Sequence, residues 1–331
     1  MDRGLPDDTT VKAALALAGR APSVHNVQPW RWRIGERSVH LYLDPRRALP
    51  STDPDQRDIV ISCGAALHHL SVALAAVGWA PVIHRLPNPD DPNHLAAVTL
   101  VARRPTNQEV ALSTAIPLRH TDRRHYSSWP IPPGYLGLFS ERAEALGATV
   151  RVIGDPERER VVAAARAASR SHAGDDAYRF ELAMWSGRHG SLDGVPARSA
   201  PLPRPGDELP ARVFARAGLA DPAQEPDHAE LLVFATSADD RLSRLRAGEA
   251  ISGVLLTAAN IGLATCLLTE PLEVAEQRDG IRLDVLNGTG YPQAFLRVGW
   301  APTSAAPLPA TPRRSVEDTL ITTDAVRGAE A

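Results

Sequence analysis

Two arginine-rich stretches far apart in the chain carry the residue types that grip a phosphate. In "PLRHTDRRHY", Arg119, His120, Thr121, Arg123 and Arg124 fall in one short segment, and "TPRRSVEDTL" adds Arg313 and Arg314. Guanidinium forks match phosphate oxygens two at a time, and a hydroxyl supplies one more donor. Taken alone, either stretch also fits a solvated charged turn. A third stretch, "APSVHNVQPWRW" at residues 21–32, leaves the apolar run "VKAALALAGR" through a proline, small polar donors, a second proline and two tryptophans. It reads either as a helix stop with a hydrophobic anchor or as half of a binding site whose other half lies elsewhere.

Other chemistries find less support. There is no GxSxG elbow, P-loop or GxGxxG, so simple hydrolysis and phosphoryl transfer lose ground. His68 and His69 are adjacent on an expected helix, point to different faces and have no i,i+4 ligand. Asp90-Asp91 and Asp239-Asp240 read as solvated turns or helix starts. No metal site is expected. Cys63 and Cys266 form no CxxC pair and are expected as buried free thiols in a reducing compartment.

The bulk numbers bound the rest. A formal net charge of -3 with 44% hydrophobic residues gives no field for nucleic acid or an anionic membrane. Lys12 is the only lysine, a compositional bias that needs no functional reason. The start "MDRGLPDDTT" is acidic where a signal peptide is basic, and no apolar run is expected to reach the ~20 residues that cross a bilayer. The expectation is a cytoplasmic protein without membrane contact. At 331 residues the chain invites a reading as two units.

The elements that must position these residues follow from periodicity. A first helix is expected from Asp8 or Thr9, through Val11, Ala14, Leu15 and Ala18, to a stop at Pro22. "WRWRI" and "VHLYL" alternate as a hairpin. A long core helix is expected to start with Asp53 as N-cap and Pro54 in its first position, followed by strands at "PVIHRL" and "LAAVTLVA". Later come a strand in "GATVRVIGDP", helices in "ERERVVAAARAAS" and "DDAYRFELAMW", and a Pro-rich segment at about 187–210 that is a linker or a lid. The strand "ELLVFAT", the helix-to-strand run "LRAGEAISGVLLTAANIGLATCLL" and the strand "PQAFLRVGW" complete the order.

Two blocks overlay. At an offset of 248 − 64 = 184, "GAALHHLSVALAAVGWA" matches "GEAISGVLLTAANIGLA", pairing Gly64 with Gly248, Ala66 with Ala250 and Gly78 with Gly262, and Pro87 with Pro271 beyond them. "VHLYLDP" and "VRVIGDP" align Val39 with Val150 at a different offset. The pattern points to a duplicated α+β unit, a dimer tied into one polypeptide.

"APSVHNVQPWRW" resembles the early motif of FMN-dependent nitroreductases, in which Ala-Pro-Ser, Asn and Gln-Pro-Trp sit against the flavin. "RHTDR" resembles that family's phosphate segment, "NIGLATCLLTEPLE" and "PQAFLRVGWA" its late glycine turn and last core strand, and "PRRSVED" its closing basic motif. With the double length, the chain is identified as a member of the Acg-type branch, over nearly its whole length. The resemblance implies an α+β nitroreductase-like fold: two tandem units, 1–110 and 111–331, forming an intrachain pseudo-dimer with central antiparallel sheets flanked by long helices. In single-length members the phosphate segment precedes Ala-Pro-Ser in the same unit. Here each unit keeps what the other lost, which implies one FMN site per chain.

On that resemblance Arg119, His120, Thr121, Arg123, Arg313 and Arg314 would hold the phosphate end and Pro22, Ser23, Asn26 and Gln28 the polar edge. Gly262, Leu263 and the backbone to Thr265 would approach the ring, with Trp30 a core anchor rather than a stacking partner. The implied function is transfer of electrons from NADPH or NADH through FMN to a nitroaromatic or quinone, with no side chain needed as general base. The alternative is a non-enzymatic protein that stores or sequesters FMN under a cover. Partners would be the small-molecule acceptor alone, with the chain a monomeric pseudo-dimer or a weak homodimer.

Overall fold

The computed structural model describes residues 4–187 and 190–321. Asp7 starts α1 (Asp8–Ala18) by accepting the Thr10 amide, and Val11, Ala14, Leu15 and Ala18 form its buried stripe. The hairpin β1 (Trp30–Ile34) and β2 (Ser38–Leu43) follows, then α2 (Arg57–Ala76), β3 (Trp79–Arg85) and β4 (His94–Ala102). The four strands make an antiparallel sheet in the order β1-β2-β4-β3. Helix α3 (Asn107–Ala115), opened by the Thr106–Glu109 capping box, packs on α2 and leads to the second half.

There α4 (Pro133–Ala145), β5 (Thr149–Val152), α5 (Asp155–Ala173), α6 (Asp176–Met184) and β6 (Glu230–Thr236) precede α7 (Arg241–Asn260) and β7 (Ala264–Leu268). Short α8 (Glu270–Glu273), α9 (Ala275–Asp284), β8 (Tyr291–Gly299) and α10 (Val316–Thr319) complete the order. The second sheet runs β5-β6-β8-β7, the first order repeated, and the registers of β2 with β4 and of β6 with β8 each carry one irregularity. The duplication is therefore visible strand by strand. It also corrects one alignment: β5 is the counterpart of β1, not of β2, so Val150 does not correspond to Val39. The Asp-Pro turns that suggested the match follow different strands.

Helices α2 and α7 cross on the pseudo-twofold axis. A Cβ on Gly64 would stand 2.0 Å from the Leu245 carbonyl oxygen, and one on Gly248 would stand 1.9 Å from that of Ile61. The two contacts exchange under the 184-residue offset, as a self-complementary interface requires. Further along the crossing, Ser252 Oγ lies 2.8 Å from Nδ1 of both His68 and His69, so both rings are core groups partnered at Nδ1, while His69 Nε2 is buried without a partner. Gly78 and Gly262 end their helices with φ of 91° and 84°, the left-handed C-terminal turn that glycine allows.

Three expectations change. Helix α2 begins at Arg57, because residues 52–56 turn first and Gln56 takes φ 55°; Asp53 still caps it by accepting the Ile59 amide at 2.9 Å. α2 is also long and apolar enough to cross a bilayer, against the expectation of no such run, but it is the buried central helix of this fold. Finally, the C-terminal segment returns to the first unit: the Ile321 amide donates to Trp32 O at 2.8 Å, and Val316 and Leu320 pack on the first core.

Candidate functional site

The loop after α1 runs across one end of the α2–α7 interface. His25, Asn26 and Gln28 all take positive φ, at 46°, 55° and 51°, a cluster of strained non-glycine backbone of the kind that functional sites hold in place. Short polar contacts fix it: Ser62 Oγ accepts the Val24 amide at 3.1 Å and Ser23 Oγ accepts the Gln28 amide at 3.0 Å. The run of small polar residues between the two prolines is what lets the chain make this path.

Behind the loop lies a cavity of about 60 Å³ walled by Arg20, Ser23, Asn26, Arg119, His120, Thr121, Arg123, Ser199 and Arg313. Among the described residues, Arg20, Arg119 and Arg313 meet no carboxylate; their remaining contacts are to carbonyls, such as Arg119 to Arg20 O and Arg313 to Arg20 O, both at 3.3 Å. The Nε atoms of all three are buried without a partner, as are Asn26 Oδ1 and Ser199 Oγ. Burial, and then the neighbouring arginines, pull the Arg119 guanidinium down to about 10 and that of Arg313 to about 9. Burial and the same cations lower His120. Three crowded cations with unmet donors form a receptor for a multiply charged oxyanion.

The pocket shares Pro22, Ser23, Thr121 and Arg123 with a cleft of about 680 Å³. Its walls come from both units: His25, Asp58 and Ser62 from the first, and Cys266–Pro271 and Phe295 from the second. Residues 200–212 and Phe214 close the remaining side. That cover belongs to an irregular stretch that continues past the expected end near 210 to Ala229. It is tied down by Arg158 to Glu208 at 2.7 Å, Arg204 Nη1 to His125 Nδ1 at 3.1 Å and Arg212 to Glu273 at 2.6 Å. Arg123 sits at the junction, donating to Ser199 O at 3.0 Å with its guanidinium 4.9 Å from the Phe214 ring.

Of the expected residues, Pro22, Ser23, Asn26, Arg119, His120, Thr121, Arg123 and Arg313 come together around these cavities. Gln28, Gly262, Leu263 and Arg314 do not. Gln28 Oε1 accepts the Arg314 amide at 2.9 Å, so these two clasp each other and fix the tail to the loop. Gly262 ends α7 and Leu263 is buried in the second core, which leaves the later residues Cys266–Thr269 to face the cleft. Arg124 makes a buried ion pair with Asp122 at 2.8 Å, and Trp30 is fully buried in the first core. Arg20, His25, Ser199 and Arg212 were not anticipated; only Arg20 and His25 had a local signal, through their place in or beside the opening motif.

No family model matches the chain. Similar proteins include two from Mycobacterium tuberculosis (strain ATCC 25618 / H37Rv). "Putative NAD(P)H nitroreductase Rv3131" is 48% identical over 323 residues, covering 97% of this chain and 93% of its own. "Putative NAD(P)H nitroreductase acg" is 38% identical over 315 residues, covering 93% and 94%. Among solved structures, the FMN-dependent nitroreductase NfnB from Mycobacterium smegmatis, in complex with NADPH, is 15% identical with a TM-score of 0.40, covering 66% of this chain and 100% of its own.

Proposed function

The chain belongs to the Acg-type branch of the nitroreductase family, and from that premise we propose that it is an FMN flavoprotein that passes electrons from NADPH or NADH to a small-molecule acceptor. The observation that carries this reading is the set of unpaired arginines, Arg20, Arg119 and Arg313, opening into a cleft of about 680 Å³ through a wall shared by Ser23, Thr121 and Arg123. A phosphate monoester on a polyol chain on a flat ring system matches that sequence of cations, hydroxyl-binding groups and a larger space. The orphaned donors fit the group.

Arg20, Arg119 and Arg313 would bind the phosphate, and Ser23, Asn26 and Thr121 the hydroxyl-bearing chain. FMN supplies the electron-transfer chemistry itself, so the protein's part is to bind, orient and exclude water. Neither cavity needs a residue acting as general base. A nitroaromatic or a quinone is the acceptor class proposed, as a flat molecule able to lie in the same cleft.

The cover favours a second reading. Because three arginines tie it down, the cleft resembles a closed store as much as an open reaction site, and the protein would then hold FMN without turning it over. One experiment separates the two. Holoprotein mixed anaerobically with excess NADPH or NADH bleaches promptly if it is a reductase; yellow colour that persists until dithionite is added supports storage. Loss of all colour on purification, with no uptake of added FMN, would remove both.

A further inference from the structure

His25 stands at the cleft wall in left-handed backbone, φ 46° and ψ 19°, a conformation unfavourable for any residue with a Cβ. Its ring is held just as firmly. Arg212 Nη1, from the segment that covers the cleft, lies 3.0 Å from Nε2, and Thr52 Oγ1 lies 3.4 Å from the same atom. A guanidinium can only donate, so Nε2 has to accept and the neutral ring carries its proton on Nδ1. Burial and the charges of Arg212 and Arg123 keep the ring far from becoming an imidazolium. Nδ1 makes no hydrogen bond to any described residue, yet it is not sealed away. Phe214 meets the ring edge-on at 6.2 Å, limiting its rotation.

We propose that His25 is a fixed, neutral hydrogen-bond donor to the molecule bound in the large cleft, and that Arg212 positions it by setting its tautomer. The partner is an acceptor oxygen on a conjugated molecule, a carbonyl or nitro oxygen. Under the flavoprotein reading, on which the ligand's identity rests, that oxygen belongs either to the flavin or to the electron acceptor. The donor couples ligand recognition to the cover: with Arg212 seated, Nδ1–H is presented; with the cover displaced, the proton is free to sit on either nitrogen.

The test has two parts. In the holoprotein labelled with 15N-histidine, NMR at neutral pH reads each tautomer, and His69, whose Nδ1 donates to Ala65 O at 3.0 Å, provides an Nδ1–H reference. Beside the signal of His69, we expect a neutral Nδ1–H signal that disappears in His25→Asn, spreads over both nitrogens in Arg212→Met and recovers in Arg212→Lys. A proton on Nε2, an imidazolium, or no response to Arg212→Met overturns the proposal. In the second part, FMN affinity is measured by fluorescence quenching and the KM for 1,4-benzoquinone with NADPH as donor. His25→Ala is expected to weaken one of the two by roughly tenfold, while His25→Asn, which keeps an N–H and tolerates positive φ, stays within about threefold. A fall in FMN affinity assigns the oxygen to the flavin, a raised KM with FMN binding intact assigns it to the acceptor, and no change in either defeats the proposal. If the chain takes up no FMN, the flavoprotein reading fails, while the tautomer measurement, made then on the protein as purified, still decides whether Nδ1 carries the proton.

Discussion

Arg20, Arg119 and Arg313 are held close together with no carboxylate among the described residues to offset them, so each raises the free energy of the unliganded protein and lowers that of a bound dianion. Arg313→Gln is therefore expected to act in opposite directions. The apoprotein should keep or gain thermal stability, while FMN affinity drops by roughly 10- to 100-fold, the range for losing a charge-assisted bond. Riboflavin, which lacks the phosphate, should bind the variant and the parent alike. A melting point that drops together with unchanged FMN affinity would make Arg313 a structural residue instead. The sequence made this site partly legible because Ser23, Asn26, Arg119, Thr121, Arg123 and Arg313 sit in compact motifs whose chemistry shows locally. Arg212 reaches the cleft only through tertiary packing, so its neighbours in sequence carry no sign of it, and Cys266–Thr269 lie in the late glycine-turn stretch but just past the residues expected at the ring. Gln28 and Arg314 have the right chemistry and the right neighbourhood, but each satisfies the other.

Among the elements, the α2–α7 crossing is the contact that tolerates least change. Because backbone carbonyls stand where a Cβ would go, neither Gly64 nor Gly248 can be enlarged without separating the helices. Gly64→Ala or Gly248→Ala should cost upwards of about 3 kcal/mol in denaturant unfolding, beyond ordinary overpacking. Gly137→Ala, inside α4 with open space around it, should be neutral or stabilising by up to about 1 kcal/mol; equal losses at all three sites would contradict the crossing. The start of α2 adds a pH dependence. Burial, with Asp58 next, pushes the Asp53 carboxyl up to about 6 from an ordinary value of 3.8. The folded state then binds this proton more tightly than the unfolded state. The resulting stability is fully present below the ordinary value and is lost as pH rises through about 6. Asp53→Asn should gain on the parent by on the order of 2 kcal/mol between pH 4 and 7, and a pH-independent difference would rule this out. The strands and long helices were legible because their apolar periods are strong. α3 and α4 were not, since each buries only two residues and shows little stripe.

At the scale of the whole molecule, the pseudo-twofold axis should generate two clefts, and the 184-residue offset shows why the second differs. Thr269 and Ala65 line the cleft; their counterparts, at 269 − 184 = 85 and 65 + 184 = 249, are Arg85 and Glu249. These form a two-pronged ion pair, both contacts 2.7 Å, with Glu249 fully buried. Where one half of the molecule keeps small groups around a space, the other places two long charged side chains. One FMN should therefore bind per chain in titrations of apoprotein, and a stoichiometry of two would break the asymmetry argument. Arg85→Ala leaves Glu249 buried and unpaired, which should cost about 3–5 kcal/mol. The double change Arg85→Thr with Glu249→Ala copies the open half and removes both charges, so it should cost less than the single change. Stability of the double variant at or below that of Arg85→Ala would mean that the pair is more than a filling of the lost cleft.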